Sequence, residues 1–122
     1  MNVTHLLLVL ANTLILVAGQ FLWKVGMEKQ TDAFSSVLSV VKLFFSPFIL
    51  TGLSMYGVAT VLWLFILTKV PLSVAYPLQS SAYVIAVIGA FFIFGESITV
   101  WKIAGVCFIM LGVSIIGLSE MR

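Results

Sequence analysis

Residues 72–94 read LSVAYPLQSSAYVIAVIGAFFIF, and this stretch decides the fold. No charge interrupts it. A helix crossing ~30 Å of hydrocarbon needs about 20 such residues. A strand of a membrane barrel would alternate polar with apolar residues and be about half as long. The segment is therefore a transmembrane helix. Three more continuous apolar runs flank it, at about 3–23, 47–67 and 100–118. Thr68-Lys69-Val70-Pro71 joins the second run to the third, and Gly95 to Thr99 joins the third to the fourth. Links this short make the joined helices antiparallel neighbours. The expected architecture is all-α, a single transmembrane domain over residues 1–122 with four spans.

Composition agrees. Hydrophobic residues are 62% of the 122 and charged residues 8%, with a mean hydropathy of +1.26. A soluble domain carries roughly 25% charged and 45–50% apolar residues. A water-soluble enzyme, a nucleic-acid binder and a disordered chain are thereby excluded, and the net charge of +2 is too small to call for an acidic partner. The single cysteine, Cys107, forms no internal disulfide or metal cage and reads as packing. His5 and Cys107 lie far apart and make no nucleophile–base pair, so neither an enzyme nor a cofactor is indicated.

The first run reads as a span. It has no basic segment ahead of it and no A-x-A cleavage site, and its lysine, Lys24, follows the apolar stretch. The first link begins with polar Glu28-Lys29-Gln30-Thr31-Asp32. Phe34, Val37, Leu38, Val41, Phe44 and Phe45 then share one helical face, which predicts an interfacial helix over about 34–45. Lys24, Lys29, Lys42 and Lys102 fall on one side of the membrane, Lys69 and Arg122 on the other. The positive-inside rule places the larger loops in the cytoplasm and both termini outside; a bias this slight also permits dual topology.

Polar groups inside hydrocarbon are costly, so their positions are the best pointers to function. On the first helix Asn12, Gln20 and Lys24 lie within an arc of about 120°. On the second, Tyr56, Ala59, Thr60 and Trp63 follow i, i+3, i+4, i+7, and on the third Tyr76, Gln79, Ser80 and Tyr83 do the same. Each stripe alone suits helix–helix hydrogen bonding; three together suggest a shared polar groove. None carries a mid-membrane carboxylate, and Leu16 stands where the first helix's polar arc crosses the centre. Pro77 is either an ordinary membrane proline or a hinge. Gly105, Gly112 and Ser119 form a seven-residue seam on the last helix, suited to packing within the bundle or to dimerisation. Glu96 either complements the dipole of that helix or places a charge at the groove mouth.

Ala18-Gly19-Gln20-Phe21-Leu22-Trp23-Lys24 resembles the A-G-Q-x-x-x-K element of the short EamA-like proteins. Val70 to Leu78 is similar to their V-P-x-x-x-A-Y-P segment, and Glu96, Trp101-Lys102 and the Gly105 to Gly112 spacing complete the likeness over nearly the whole chain. This is the four-helix branch of the drug/metabolite transporter superfamily, and the nearest resemblance is to the subunits of the undecaprenyl-phosphate aminoarabinose flippase. It implies a bacterial inner-membrane protein that moves a lipid-linked amino sugar for lipid A modification. It also implies work as a homodimer, or as a heterodimer with a related four-helix subunit. Lys24 would then hold the phosphate, Asn12, Gln20, Trp63, Tyr76, Gln79, Ser80 and Tyr83 would line the sugar path, and Glu96 would meet an amine. The small multidrug resistance proteins are similar too, but they rely on a glutamate where this chain has Leu16. Two alternatives stay open, an exporter of small cations and a non-transporting subunit of a membrane glycosyltransferase complex.

Overall fold

The computed structural model describes residues 2–29 and 34–120. Six helices follow in order: α1 (Val3–Glu28), α2 (Val37–Leu43), α3 (Pro47–Lys69), α4 (Leu72–Gln79), α5 (Ser81–Phe94) and α6 (Val100–Glu120). Four stretches are long and apolar enough to cross a membrane: α1, α3, α4 with α5, and α6. The four expected spans are present, and the first and last run on to Glu28 and Glu120. The expected interfacial helix is shorter than its apolar pattern. Ser36 caps it by accepting from the Ser39 amide at 3.2 Å, and Phe34 stands outside it.

Each boundary has a local cause. Asn2 caps α1 by accepting the His5 amide at 3.0 Å. Pro47 opens α3, where a missing N–H costs nothing. Gly95 ends α5 at φ +67, a left-handed conformation that only glycine adopts without strain. Thr99 accepts from the Lys102 amide at 3.2 Å and starts α6.

The third span is broken. Pro77 withholds the amide that would bond the Ser73 carbonyl. The axis breaks one turn later, at Ser80, where the Ser80 amide bonds the Pro77 carbonyl and the Tyr83 amide bonds the Ser80 carbonyl, both at 3.0 Å. These i→i+3 contacts tighten the chain at the Ser80-Ser81 pair.

Helices α1 and α3 make the most extensive pair in the bundle. Their backbones meet at glycines: a methyl on Gly19 would lie 3.3 Å from the Gly52 carbonyl oxygen, and one on Gly52 would lie 3.0 Å from that of Gly19. Gly26 makes room for the side chains of Phe48 and Ile49. Membrane helices gain contact energy by such close approach, since lipid supplies no hydrophobic drive between them. An apolar core of Val9, Ile66, Val70, Val74, Ala75 and Leu78 closes the end of the bundle where α1 begins and α3 ends, and Val113 and Ile116 of α6 pack onto it. Gly117 is buried against Leu78. The rest of α6 turns outward, with Gly105 and Gly112 facing open space.

Candidate functional site

Just beyond the apolar core, the polar stripes of α1, α3 and α4–α5 converge. Three neighbouring cavities share lining residues there. The first, of about 200 Å³, is lined by Asn12, Leu16, Tyr56, Ala59, Thr60, Trp63 and Gln79. The second, of about 330 Å³, shares Leu16, Tyr56 and Gln79 with it and adds Val17, Gln20, Tyr76, Ser80, Ala82, Tyr83 and Ala86. The third, of about 290 Å³, shares Tyr83 and Ala86 and reaches Glu96, Ser97 and Lys102. In series they mark out a groove from the core to the lysine-bearing end of the bundle. Its flank is open, for Tyr76 and Tyr83 are each 64% exposed.

The groove wall is held by contacts between helices. Gln20 Nε2 of α1 donates to the Tyr56 hydroxyl of α3. The Tyr56 ring stacks on the Trp23 indole, centroids 4.5 Å apart and planes within 10° of parallel. Trp23 Nε1 in turn donates to the Ile49 carbonyl at 3.0 Å. Trp63 meets Tyr76 edge-on at 6.4 Å. The Thr60 hydroxyl is turned back onto the Tyr56 carbonyl at 2.7 Å, which takes away its free donor. Asn12 is different. It is fully buried, and neither amide atom finds a hydrogen-bond partner among the described residues. A polar group left so costs roughly 1–3 kcal/mol.

The mouth carries the charge. Lys102 Nζ donates to the Ser97 carbonyl at 2.8 Å, and Glu96 lines the same cavity. Lys24 lies outside the lining of the three cavities. Its ammonium is 3.9 Å from Glu28, one turn on, and both side chains are about half exposed. Lys29 sits over the Phe48 ring at 4.4 Å.

The structure therefore brings together Asn12, Gln20, Trp63, Tyr76, Gln79, Ser80 and Tyr83, with Glu96 at the mouth. It leaves Lys24 beside the groove, and Gly105, Gly112 and Ser119 on the far, exposed surface of α6. Pro77 lies next to the break in the third span. Sequence reasoning missed Lys102 as a mouth residue, Tyr56 as the partner of Gln20, and the Gly19, Gly26, Gly52 crossing. The seven-residue spacing of Gly19 and Gly26 was a usable signal for that crossing, the same as that of Gly105 and Gly112.

No family model matches the chain, and no solved structure matches it. Several curated proteins do. One is the probable 4-amino-4-deoxy-L-arabinose-phosphoundecaprenol flippase subunit ArnF of Proteus mirabilis (strain HI4320). It is 33% identical over 126 aligned positions, which cover 93% of this chain and 91% of that protein. The corresponding subunit ArnE of Pseudomonas fluorescens (strain Pf0-1) is 33% identical over 110 positions, 90% of this chain and 94% of its own. ArnE of Enterobacter sp. (strain 638) is 39% identical over a shorter stretch of 66 positions, 54% of this chain and 62% of that protein.

Proposed function

The chain belongs to the family of the ArnE and ArnF flippase subunits, and on that premise we propose that it is a subunit of a flippase for a polyprenyl-phosphate-linked sugar. The difficulty such a protein meets is to move a phosphate and a polar ring through hydrocarbon while the isoprenoid tail stays in lipid. A groove open along its flank suits this cargo, because the head group travels inside and the tail trails out sideways. The observation that carries the reading is the polar lining of neighbouring cavities that share residues, from Gln79, Gln20, Ser80 and Tyr83 to Glu96 and Lys102.

In this scheme the phosphate docks at the mouth, where Lys102 offers a compact ammonium charge, and Lys24 reaches in from beside the groove once it leaves Glu28. The loose, half-exposed Lys24–Glu28 pair contributes at most ~1 kcal/mol and is readily exchanged for a phosphate. Gln20, Tyr76, Gln79, Ser80 and Tyr83 hydrogen-bond the ring, and Glu96 receives an amine where the sugar has one. Alternating access follows from exchange of the broken third span between two tilts, opening the groove to each side in turn. The partner is a second four-helix subunit, identical or related, seated on the small-residue seam of α6. The membrane is the bacterial inner membrane, with the lysine-rich end cytoplasmic and the termini outside. Exchange of a small cation for a proton is less well served, because Glu96 is the only carboxylate lining the three cavities and it sits at the mouth.

The test is translocation of a fluorescent polyprenyl-phosphate sugar in proteoliposomes, with the chain alone and with a candidate partner. Lys24→Ala is expected to abolish transport while the protein still inserts and pairs. Full activity in that variant would remove Lys24 from the site, and full activity in Lys102→Ala would do the same for the mouth.

A further inference from the structure

The short helix α2 has no part in the flippase reading, and its sides differ sharply. Leu43 is buried with Ile49, and Trp23 and Met27 pack against them, which pins α2 to the bundle. At 100° per residue, Phe44, Val37, Val41 and Leu38 share another arc of about 120°. All four are exposed, Val37 to 82%, and exposed Phe34 and Phe45 extend this apolar surface past both ends of the helix. Lys42, exposed as well, stands on the flank of the arc.

These demands fix the depth at which α2 can lie. Seven residues cannot cross hydrocarbon, and the first amides of a helix have no partner in its own ladder. Ser36 accepts that of Ser39 at 3.2 Å; the others call for water, which hydrocarbon does not hold. Ser46 is extended ahead of Pro47, so α2 does not simply continue into α3. Full immersion in water fails too, because the apolar arc stays uncovered and so short a helix is marginal there. Only the boundary between head groups and acyl chains meets both needs. Charge then selects the lipid. Lys24, Lys29, Lys42 and Lys102 gather at this end, against Glu28 and Glu96 among the described residues. Glu28 is paired with Lys24, and no carboxylate among the described residues pairs with Lys42. We infer that α2 is a membrane-surface foot, its apolar arc sunk into the head-group boundary and Lys42 bound to the phosphates of anionic phospholipid. Through Leu43 the foot bears on Trp23, whose indole stacks on Tyr56 of the groove wall. The inference needs no particular cargo and stands apart from the flippase reading.

The experiment places the full chain in nanodiscs of phosphatidylglycerol and of phosphatidylcholine. With Cys107→Ser removing the native thiol, a spin label is attached at Leu38→Cys and, separately, at Lys42→Cys. The label at 38 is expected to be relaxed by oxygen, which concentrates in lipid, and that at 42 by a water-soluble nickel chelate. Val37→Cys serves for the apolar arc should Leu38→Cys fail to fold. A label at 38 reached by the chelate overturns the bilayer seat. So does one shielded from both reagents, the result expected if a second subunit covers the arc. Amide hydrogen exchange over 40–43 reads the lipid contact in the otherwise unaltered chain. Protection is expected to be greater in phosphatidylglycerol, and Lys42→Gln should lower it there about five-fold while leaving it unchanged in phosphatidylcholine. Equal protection of the parent in the two lipids, or no effect of Lys42→Gln in phosphatidylglycerol, overturns the anionic contact.

Discussion

Gln20 and Tyr56 show what a single residue pair does in this bundle. Their hydrogen bond joins α1 to α3 across the groove floor, and the tyrosine ring is clamped by Trp23 behind it. Tyr56→Phe removes the acceptor and keeps the ring, so it should cost only about 0.6 kcal/mol of stability, as interhelical bonds in membranes do. Transport should fall further than that, because the Gln20 amide would swing free into the path. Equal small losses in both, measured by thermal unfolding and by translocation, would show Tyr56 to be packing alone. At this scale much of the site was legible in sequence: Gln20, Gln79, Ser80 and Tyr83 stand out because a polar side chain in an apolar helix is rare enough to carry information. Lys24 was harder to read. Helical periodicity put it on the polar arc, but it could not say that Glu28, one turn on, would hold the ammonium outside the groove. Lys102 was overlooked because its place at the mouth depends on how the turn after Gly95 folds back.

Among the helices, the α1–α3 crossing and the broken third span matter most. A methyl on Gly52 would come within 2.6 Å of Trp23 Cδ1 and 3.0 Å of the Gly19 carbonyl oxygen. The indole cannot yield, since it is stacked on Tyr56 and bonded to the Ile49 carbonyl. Gly52→Ala should therefore destabilise the protein by about 1–3 kcal/mol through overpacking. A thermal-unfolding midpoint equal to that of the parent would show that the helices part without penalty. In the third span, Pro77→Ala restores the amide facing the Ser73 carbonyl and should stiffen the α4–α5 joint. It is expected to raise thermal stability and slow translocation several-fold with binding unchanged; an unchanged rate would leave Pro77 a packing residue. The spans themselves were plain from continuous hydropathy. The exact position of the break was not, because the proline's lost hydrogen bond lies one turn before the Ser80-Ser81 pair at which the backbone tightens.

The molecule as a whole is closed at one end by the core around Val9, Ile66 and Ala75 and open at the other through the groove mouth. In a single bundle the groove's flank is left open, with Tyr76 and Tyr83 each 64% exposed, which is the physical reason to expect a second subunit. We propose the seam of Gly105 and Gly112 for that contact; a side chain added at either meets nothing within 4 Å in the monomer. Gly105→Leu with Gly112→Leu should leave the monomer's unfolding unchanged while abolishing cross-linking between subunits in the membrane. Unfolding of the monomer, or undiminished cross-linking, would place the seam elsewhere. The most direct test of the central claim is to plug the groove where its second and third cavities meet. Ala86→Trp, in the flippase assembled in liposomes, is expected to stop translocation of a polyprenyl-phosphate sugar while leaving insertion and subunit pairing intact. Undiminished translocation through a protein so plugged would contradict the claim that the head group travels by this groove.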